Sequence, residues 1–105
     1  MKAMISQPMN GKEIDEINAE REHAVAELEA AGYEVVNTVF TDEWYNEDAM
    51  EKRGVTHKPL CFLSKALEEM AMCDAVYFCD GWKNARGCRL ENEAAVAYGV
   101  NIFRE

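Results

Sequence analysis

The run Ala75-Val76-Tyr77-Phe78-Cys79 decides the fold of this chain. Its residues are nearly all apolar, whereas a strand with one wet face alternates apolar and polar side chains. A strand of this kind is typical of the interior of a parallel sheet whose two faces are both covered by helices. Polar residues and a turn bracket the run, since Asp74 precedes it and Asp80-Gly81 follows it. The run therefore predicts a central, fully buried strand.

Outward from this strand, the remaining segments alternate between strand and helix patterns. Apolar or β-branched runs predict further strands at Ala3-Met4-Ile5, at residues 33–39 and at residues 100–103. The spacing of apolar residues predicts helices over residues 11–31, 60–72 and 89–98, with a short helix at 48–52. Alternating strands and helices favour parallel pairing with right-handed crossovers. We therefore predict a small doubly wound α/β domain, with about four parallel strands and helices on both faces.

Composition limits the possible partners. The chain has 105 residues, enough for one domain over residues 1–105 and too few for two. It carries 20 acidic and 11 basic side chains, a formal net charge of −9. This charge argues against a nucleic-acid polymer and against an anionic membrane surface as partners, because both need a basic face. A small anionic ligand remains possible, since it needs only a few local donors.

Nothing in the sequence predicts a membrane segment or a secretion signal. No run of about 18 apolar residues is present, and the opening residues 1–6 are interrupted too early for a signal peptide. The four cysteines show no Cys-x-x-Cys spacing, and Cys73 and Cys79 flank the apolar run. We interpret them as small buried hydrophobes rather than as metal ligands or disulfides. The expected location is a reducing cytoplasm, and no metal or organic cofactor is indicated.

The first candidate site is the loop Ser6-Gln7-Pro8-Met9-Asn10-Gly11. It joins the first strand to a helix, and doubly wound sheets bind ligands beyond the carboxyl ends of their strands. Free N–H groups at the start of a helix suit a phosphate or a sugar hydroxyl. The loop has no G-x-G-x-x-G or P-loop lysine motif, so a dinucleotide or triphosphate is unsupported. The alternative is a plain turn with Asn10 as the helix cap.

The second candidate site is the segment Gly87-Cys88-Arg89-Leu90-Glu91. We predict Glu91 in the first turn of the last helix, where the helix dipole favours the ionised form that a nucleophile needs. The alternative is that Glu91 is a routine stabiliser of a first helical turn. Glu93 is predicted on a different face. Arg86 and Arg89 are expected to bind an anionic ligand and to hold the pKa of Glu91 down.

Further candidates lie near the same edge. Asp80, at the carboxyl end of the central strand, is a candidate site residue, and Trp82 is expected either to stack on a base or to cover the sheet edge. The long segment between residues 40 and 59 carries Trp44 and Tyr45, which we interpret as a lid or a subunit contact. His23 and His57 show no partner in the sequence and Tyr98 is expected in the core. We predict no functional role for these three residues.

The motifs named so far resemble those of one known superfamily. The second half of the chain is similar to the nucleoside 2-deoxyribosyltransferase superfamily at five motifs: Asp74-Ala75-Val76-Tyr77, Gly81-Trp82, Gly87-x-x-x-Glu91, Ala94-Ala95 and Gly99. The opening Met4-Ile5-Ser6-Gln7-Pro8-Met9 resembles the strand and S-x-P-[MI] start of a small branch found in bacteria and phages, a domain of unknown function. The resemblance covers nearly the whole chain except the long middle segment.

This resemblance implies a flavodoxin-like fold and N-glycosidic bond chemistry on a nucleoside or nucleoside 5′-monophosphate. The catalytic glutamate of the family falls on Glu91, whose carboxylate would attack the anomeric carbon to give a covalent glycosyl-enzyme. The family builds its sites at a dimer interface, which implies a homodimer or a higher homo-oligomer. We assign catalysis to Glu91 and Asp80, and substrate binding to Ser6, Gln7, Pro8, Met9, Gly81, Trp82, Arg86, Gly87 and Cys88.

The chain departs from the superfamily pattern at polar positions. Ala85 stands where relatives carry a Ser or Asp for sugar or phosphate contact, and Ala66 stands where transferases carry an Asp that assists proton transfer to the base. Arg89 and Glu93 stand where relatives with transferase activity have glycines around the catalytic Glu. General acid–base help is worth about 10²–10⁴ in rate. A slow enzyme and a nucleotide-binding module without turnover are therefore two alternatives. A structural or interaction protein whose acidic first helix faces a partner is the third.

Overall fold

Strands and helices alternate along the chain, which confirms the predicted order of elements. The computed structural model describes residues 1–36 and 46–105. The elements are β1 (Lys2–Ser6), α1 (Ile14–Ala30), β2 (Glu34–Val35), α2 (Glu47–Lys52), α3 (Lys58–Ala71), β3 (Ala75–Phe78), α4 (Arg86–Ala97) and β4 (Asn101–Arg104). A short 3-10 turn at Trp82–Asn84 connects β3 to α4. Trp44, Tyr45 and the later part of the strand predicted at 33–39 lie outside the described residues.

The sheet has four parallel strands in the order β2-β1-β3-β4. β1 and β3 form its centre, with Ala3 opposite Ala75 and Ser6 opposite Phe78. The chain runs from β1 outward to β2 and from β3 outward to β4, so the strand order reverses between the two central strands. The fold is a small flavodoxin-like α/β fold, and its switch point is the place where such folds bind ligands.

Helices cover both faces of the sheet, as the apolar run in β3 predicts. On one face, α1 packs through Ala24 and Leu28 onto alternate residues of the central strands; this cluster contains Ala3, Ile5, Ala24, Leu28, Ala75, Tyr77 and Cys79. On the other face, α3 and α4 supply Ala66, Met70 and Ala95, which pack with Met4, Val76 and Phe78. Successive residues of β1 and β3 therefore enter opposite clusters, because side chains alternate across a strand.

The prediction for Tyr98 is wrong. Tyr98, expected in the core, follows the last residue of α4 and is 86% exposed. His23, for which the sequence shows no partner, lies between two carboxylates, 3.1 Å from Glu27 and 3.5 Å from Glu105. The predicted short helix is confirmed as α2, where the side chain of Asn46 accepts a hydrogen bond from the Ala49 N–H. In the described part of the chain, no helix has the length and apolar character needed to cross a membrane.

The packing of α1 gives a stability test. Leu28 is 0% exposed within the α1 cluster, so Leu28→Ala should lower the free energy of unfolding by about 2–5 kcal/mol through lost burial and a residual cavity. Leu67→Ala, at a site that is 37% exposed, should cost less than about 1.5 kcal/mol. Urea unfolding of both variants measures the difference. Equal losses would contradict the assignment of Leu28 to the core.

Candidate functional site

The end of β1 and the second turn of α4 meet in a buried hydrogen bond. The Ser6 hydroxyl donates to Oε2 of Glu91 at 2.7 Å, across 85 positions of sequence. Ser6 is 3% exposed and Glu91 is 8% exposed. Because Ser6 is the last residue of β1 and lies opposite Phe78, this contact sits at the carboxyl edge of the sheet. The two sequence-predicted segments are therefore brought together.

The position of Glu91 within its helix differs from the prediction. α4 begins at Arg86 rather than at Arg89, so Glu91 lies in the second turn and the first turn carries no acidic residue. The buried residues of α4 are Cys88, Glu91, Asn92 and Ala95, a stripe at helical spacing that faces the sheet. Since the dipole effect fades beyond the first turn, it does not favour the ionised form of Glu91 as the sequence predicted. Glu93 is exposed, which confirms that it lies on another face.

The electrostatic surroundings of Glu91 also differ from the prediction. Burial raises the pKa of Glu91 above the ordinary carboxyl value, and the nearby charge of Glu69 raises it further. The Ser6 hydroxyl acts in the opposite direction, because it donates to the carboxylate. The expectation that Arg86 and Arg89 hold this pKa down is wrong: both side chains are exposed, and neither contributes to the shift.

Glu69 is a residue that the sequence analysis missed. It lies on the inner face of α3, 8% exposed, beside the core residues Ala66 and Met70. Burial raises its pKa, and its Oε2 atom has no hydrogen-bond partner among the described residues. The helical spacing of Ala66 and Met70 was the available signal, since a residue three positions after Ala66 shares its face. Glu69 on α3 is thus a second buried carboxyl group, and its charge acts on Glu91 of α4.

A cavity of about 970 Å³ opens beside the Ser6–Glu91 contact, between the loop after β1 and the segment after β3. Seven of the predicted binding residues line it: Gln7, Pro8, Met9, Gly81, Arg86, Gly87 and Cys88. The others that line it are Asn10, Gly11, Lys12, Glu16, Asn84 and Ala85. Of these, Lys12 and Glu16 were missed by the sequence analysis. The cavity occupies the switch point of the sheet, where the sequence predicted it.

Four predicted site residues do not line this cavity: Ser6, Asp80, Trp82 and Glu91. Asp80 is exposed, and its main chain makes the contacts: its N–H donates to Glu105 at 3.0 Å and its carbonyl accepts from Lys12 at 2.9 Å. The Trp82 ring packs on Phe78, with centroids 5.5 Å apart, and the Arg104 guanidinium lies 5.3 Å from the ring centroid. This packing favours the interpretation of Trp82 as cover for the sheet edge, and the catalytic assignment of Asp80 gains no support.

Two lining residues are constrained by their neighbours. Gln7 donates from Nε2 to the Ile17 carbonyl at 2.7 Å, which ties the first loop to α1. The Cys88 thiol is buried next to Ser6 and Glu91, and burial raises its pKa, so the thiol is neutral at pH 7. Burial likewise raises the pKa of Cys79 to about 12. All four cysteines are free. Cys79 is buried as the sequence predicted, whereas Cys73, interpreted in the same way, is half-buried.

The buried carboxyl of Glu91 yields a prediction about stability. A raised pKa means that the folded protein holds this proton to higher pH than the unfolded chain, so stability falls as pH rises above the ordinary carboxyl range. Glu91→Gln removes this cost and keeps an oxygen that can accept from Ser6. We expect the free energy of unfolding of Glu91→Gln to exceed that of the wild type by about 0.5–2 kcal/mol at pH 7, and this difference to disappear near pH 4. Urea unfolding at both pH values, with Glu93→Gln as the control, measures this; no gain at pH 7 would contradict it.

Comparison with known proteins assigns the chain to one family. Neither a curated protein nor a solved structure matches it. A family model described as a domain of unknown function (DUF4406) matches residues 1–104. The match extends from β1 to β4 and includes both segments that line the cavity, as well as Ser6 and Glu91. The chain therefore belongs to the DUF4406 family.

Proposed function

We propose that this protein cleaves or transfers the N-glycosidic bond of a nucleoside or nucleoside 5′-monophosphate, with Glu91 as the nucleophile. One observation carries the proposal: a buried carboxylate held by the Ser6 hydroxyl at the carboxyl edge of the sheet, beside a cavity of about 970 Å³. Cavities of roughly 300–1,000 Å³ are typical of small-molecule sites. The resemblance of the sequence motifs to the nucleoside 2-deoxyribosyltransferase superfamily, whose glutamate falls on Glu91, supports the same chemistry.

In the proposed reaction, the two oxygen atoms of the Glu91 carboxylate have different roles. Oε2 accepts from Ser6, so Oε1 is the atom that attacks the anomeric carbon C1′. The C1′–O bond forms as the C1′–N bond breaks, and the base leaves with the bonding electron pair. Attack of water or of a second base on C1′ then releases Glu91. The Ser6 hydroxyl orients the carboxylate and favours its ionised form against the effect of burial.

The leaving base needs a proton, and the cavity offers few acidic side chains to donate it. Glu16 is the acidic side chain that lines the cavity within the described residues. Ala66, where the superfamily pattern has an Asp, packs in the core with Met4 and Val76, and Ala85 presents a methyl group to the cavity. We therefore propose that the base takes its proton from solvent. This favours a slow enzyme, and it is the observation behind the second candidate function, a nucleotide-binding module without turnover.

The proposal also includes an oligomeric state and a cellular location. The resemblance implies a homodimer or a higher homo-oligomer, because the superfamily closes each site with a neighbouring subunit. We also propose a cytoplasmic location, since the four cysteines are free and a reducing compartment keeps them so.

The nucleophile can be tested by base release. Nucleosides and their 5′-monophosphates would be incubated with the protein, and free base measured by chromatography. Glu91→Gln and Glu91→Ala should lower release by about 10³-fold or more, because no covalent intermediate can form. Glu93→Gln, on the exposed face of the same helix, is the control. Full release by Glu91→Ala would rule out the mechanism, whereas calorimetric binding without release in the wild type would establish the second candidate.

The pH dependence of base release tests how Ser6 and Glu69 affect the pKa of Glu91, because the ionised form of Glu91 is the reactive one. Ser6→Ala removes the donor that lowers the pKa of Glu91, so the acidic limb of kcat/KM should move to higher pH and kcat should fall about tenfold or more. Glu69→Gln removes a negative charge that raises this pKa, so the limb should move to lower pH. Ser64→Ala, an exposed hydroxyl bonded within α3, is the control. If Ser6→Ala and Glu69→Gln moved the acidic limb in the same direction, the opposite effects assigned to Ser6 and Glu69 would be contradicted.

A further inference from the structure

The Lys12 ammonium bridges the two chain segments that form the cavity. Its Nζ atom lies 2.9 and 2.8 Å from the two carboxylate oxygens of Glu20 on α1, and 2.9 Å from the main-chain carbonyl oxygen of Asp80 after β3. The Lys12 side chain is only 16% exposed. An ammonium group has three N–H donors, and three acceptors surround this one. Its hydrogen-bonding capacity is therefore used by the protein itself.

The backbone of the second segment comes close to Lys12 at Gly81. Gly81 has a φ of +87°, a conformation that glycine adopts without strain. A Cβ atom built on it would lie 3.7 Å from Cγ of Pro8 and 3.8 Å from Nζ of Lys12. The two walls of the cavity thus approach each other here, and the hydrogen bond from Lys12 to the Asp80 carbonyl joins them. The first loop is itself anchored to α1 through Gln7.

We propose that Lys12 is a positioning residue that sets the separation of the two cavity walls, and that it does not bind the anionic part of a ligand. Its charge is compensated by Glu20, and Glu16 on the same wall adds a further negative charge. Arg86 lies on the opposite wall, is exposed, and forms no salt bridge within the described residues. An anionic group in this cavity therefore meets Arg86 rather than Lys12. The positioning role of Lys12 does not rest on the proposed function. Only its test by ligand binding does, because that test uses the proposed substrates.

Hydrogen exchange tests the bridge without any ligand. Amide exchange followed by mass spectrometry would compare the wild type with Lys12→Met, Glu20→Gln and Lys12→Arg. We expect Lys12→Met and Glu20→Gln to accelerate exchange in residues 7–12 and 79–85 alone, and Lys12→Arg to restore part of the protection because a guanidinium can still pair with Glu20. Lys52→Met and Glu22→Gln, at exposed sites on α2 and α1, are the matched controls. Unchanged exchange in both segments, or equal acceleration throughout β1 and β3, would overturn the proposal.

Ligand binding tests whether Lys12 contacts an anion. Calorimetry would titrate the same variants with the four deoxynucleosides and their four 5′-monophosphates. A positioning role predicts that Lys12→Met weakens both members of a pair about ten- to hundredfold, because misplaced walls affect the whole ligand. A loss confined to the monophosphates would overturn the proposal, since it would show direct phosphate contact. If none of the eight compounds binds the wild type, the proposed function fails while the exchange experiment still decides the role of Lys12.

Discussion

The parallel pairing of β1 with β3 is the constraint on which the site depends. Met4 lies opposite Val76 and Ser6 opposite Phe78, and the Cys79 N–H continues the ladder by donating to the Ser6 carbonyl at 3.0 Å. Both strands therefore end at the same level of the sheet. Because the chain leaves them toward opposite sides, the two following segments separate and a cavity opens between them. A one-residue slip of this register would turn Ser6 to the other face and separate it from Glu91.

Burial of the Glu91 carboxyl opposes stability. The group lies on the inner stripe of α4 with Cys88 and Ala95, where burial disfavours the charged form. A single hydroxyl, that of Ser6, offsets part of this cost, and Glu69 adds to it. An apolar side chain at position 91 would fill the same inner stripe without a desolvated charge. Carboxyl groups that are retained against such a cost concentrate at functional sites, which is why this one supports the proposed chemistry.

The sequence was most informative where regular rules of topology apply. The apolar run at Ala75 predicted the covered central strand, and the rule for doubly wound sheets brought Ser6 and Glu91 to one edge although they are far apart in sequence. The start of α4 was missed because Gly87, a poor helix former, lies in its first turn. Lys12 and Glu69 were missed because charged residues are usually exposed. Their burial depends on how other elements pack around them, which periodicity within one helix does not reveal.

The distribution of charge around the cavity limits how a substrate can lie in it. Lys12 is paired with Glu20, and Glu16 makes the wall formed by the first loop and α1 negative. The opposite wall carries Arg86 and the first turn of α4, which has no acidic residue and whose N–H groups favour anions. Under the proposed function, the phosphate of a nucleoside 5′-monophosphate therefore lies against α4. From Arg86 to Glu91 the helix rises about 7.5 Å, and the same proposal places the sugar between its phosphate and the Glu91 carboxylate.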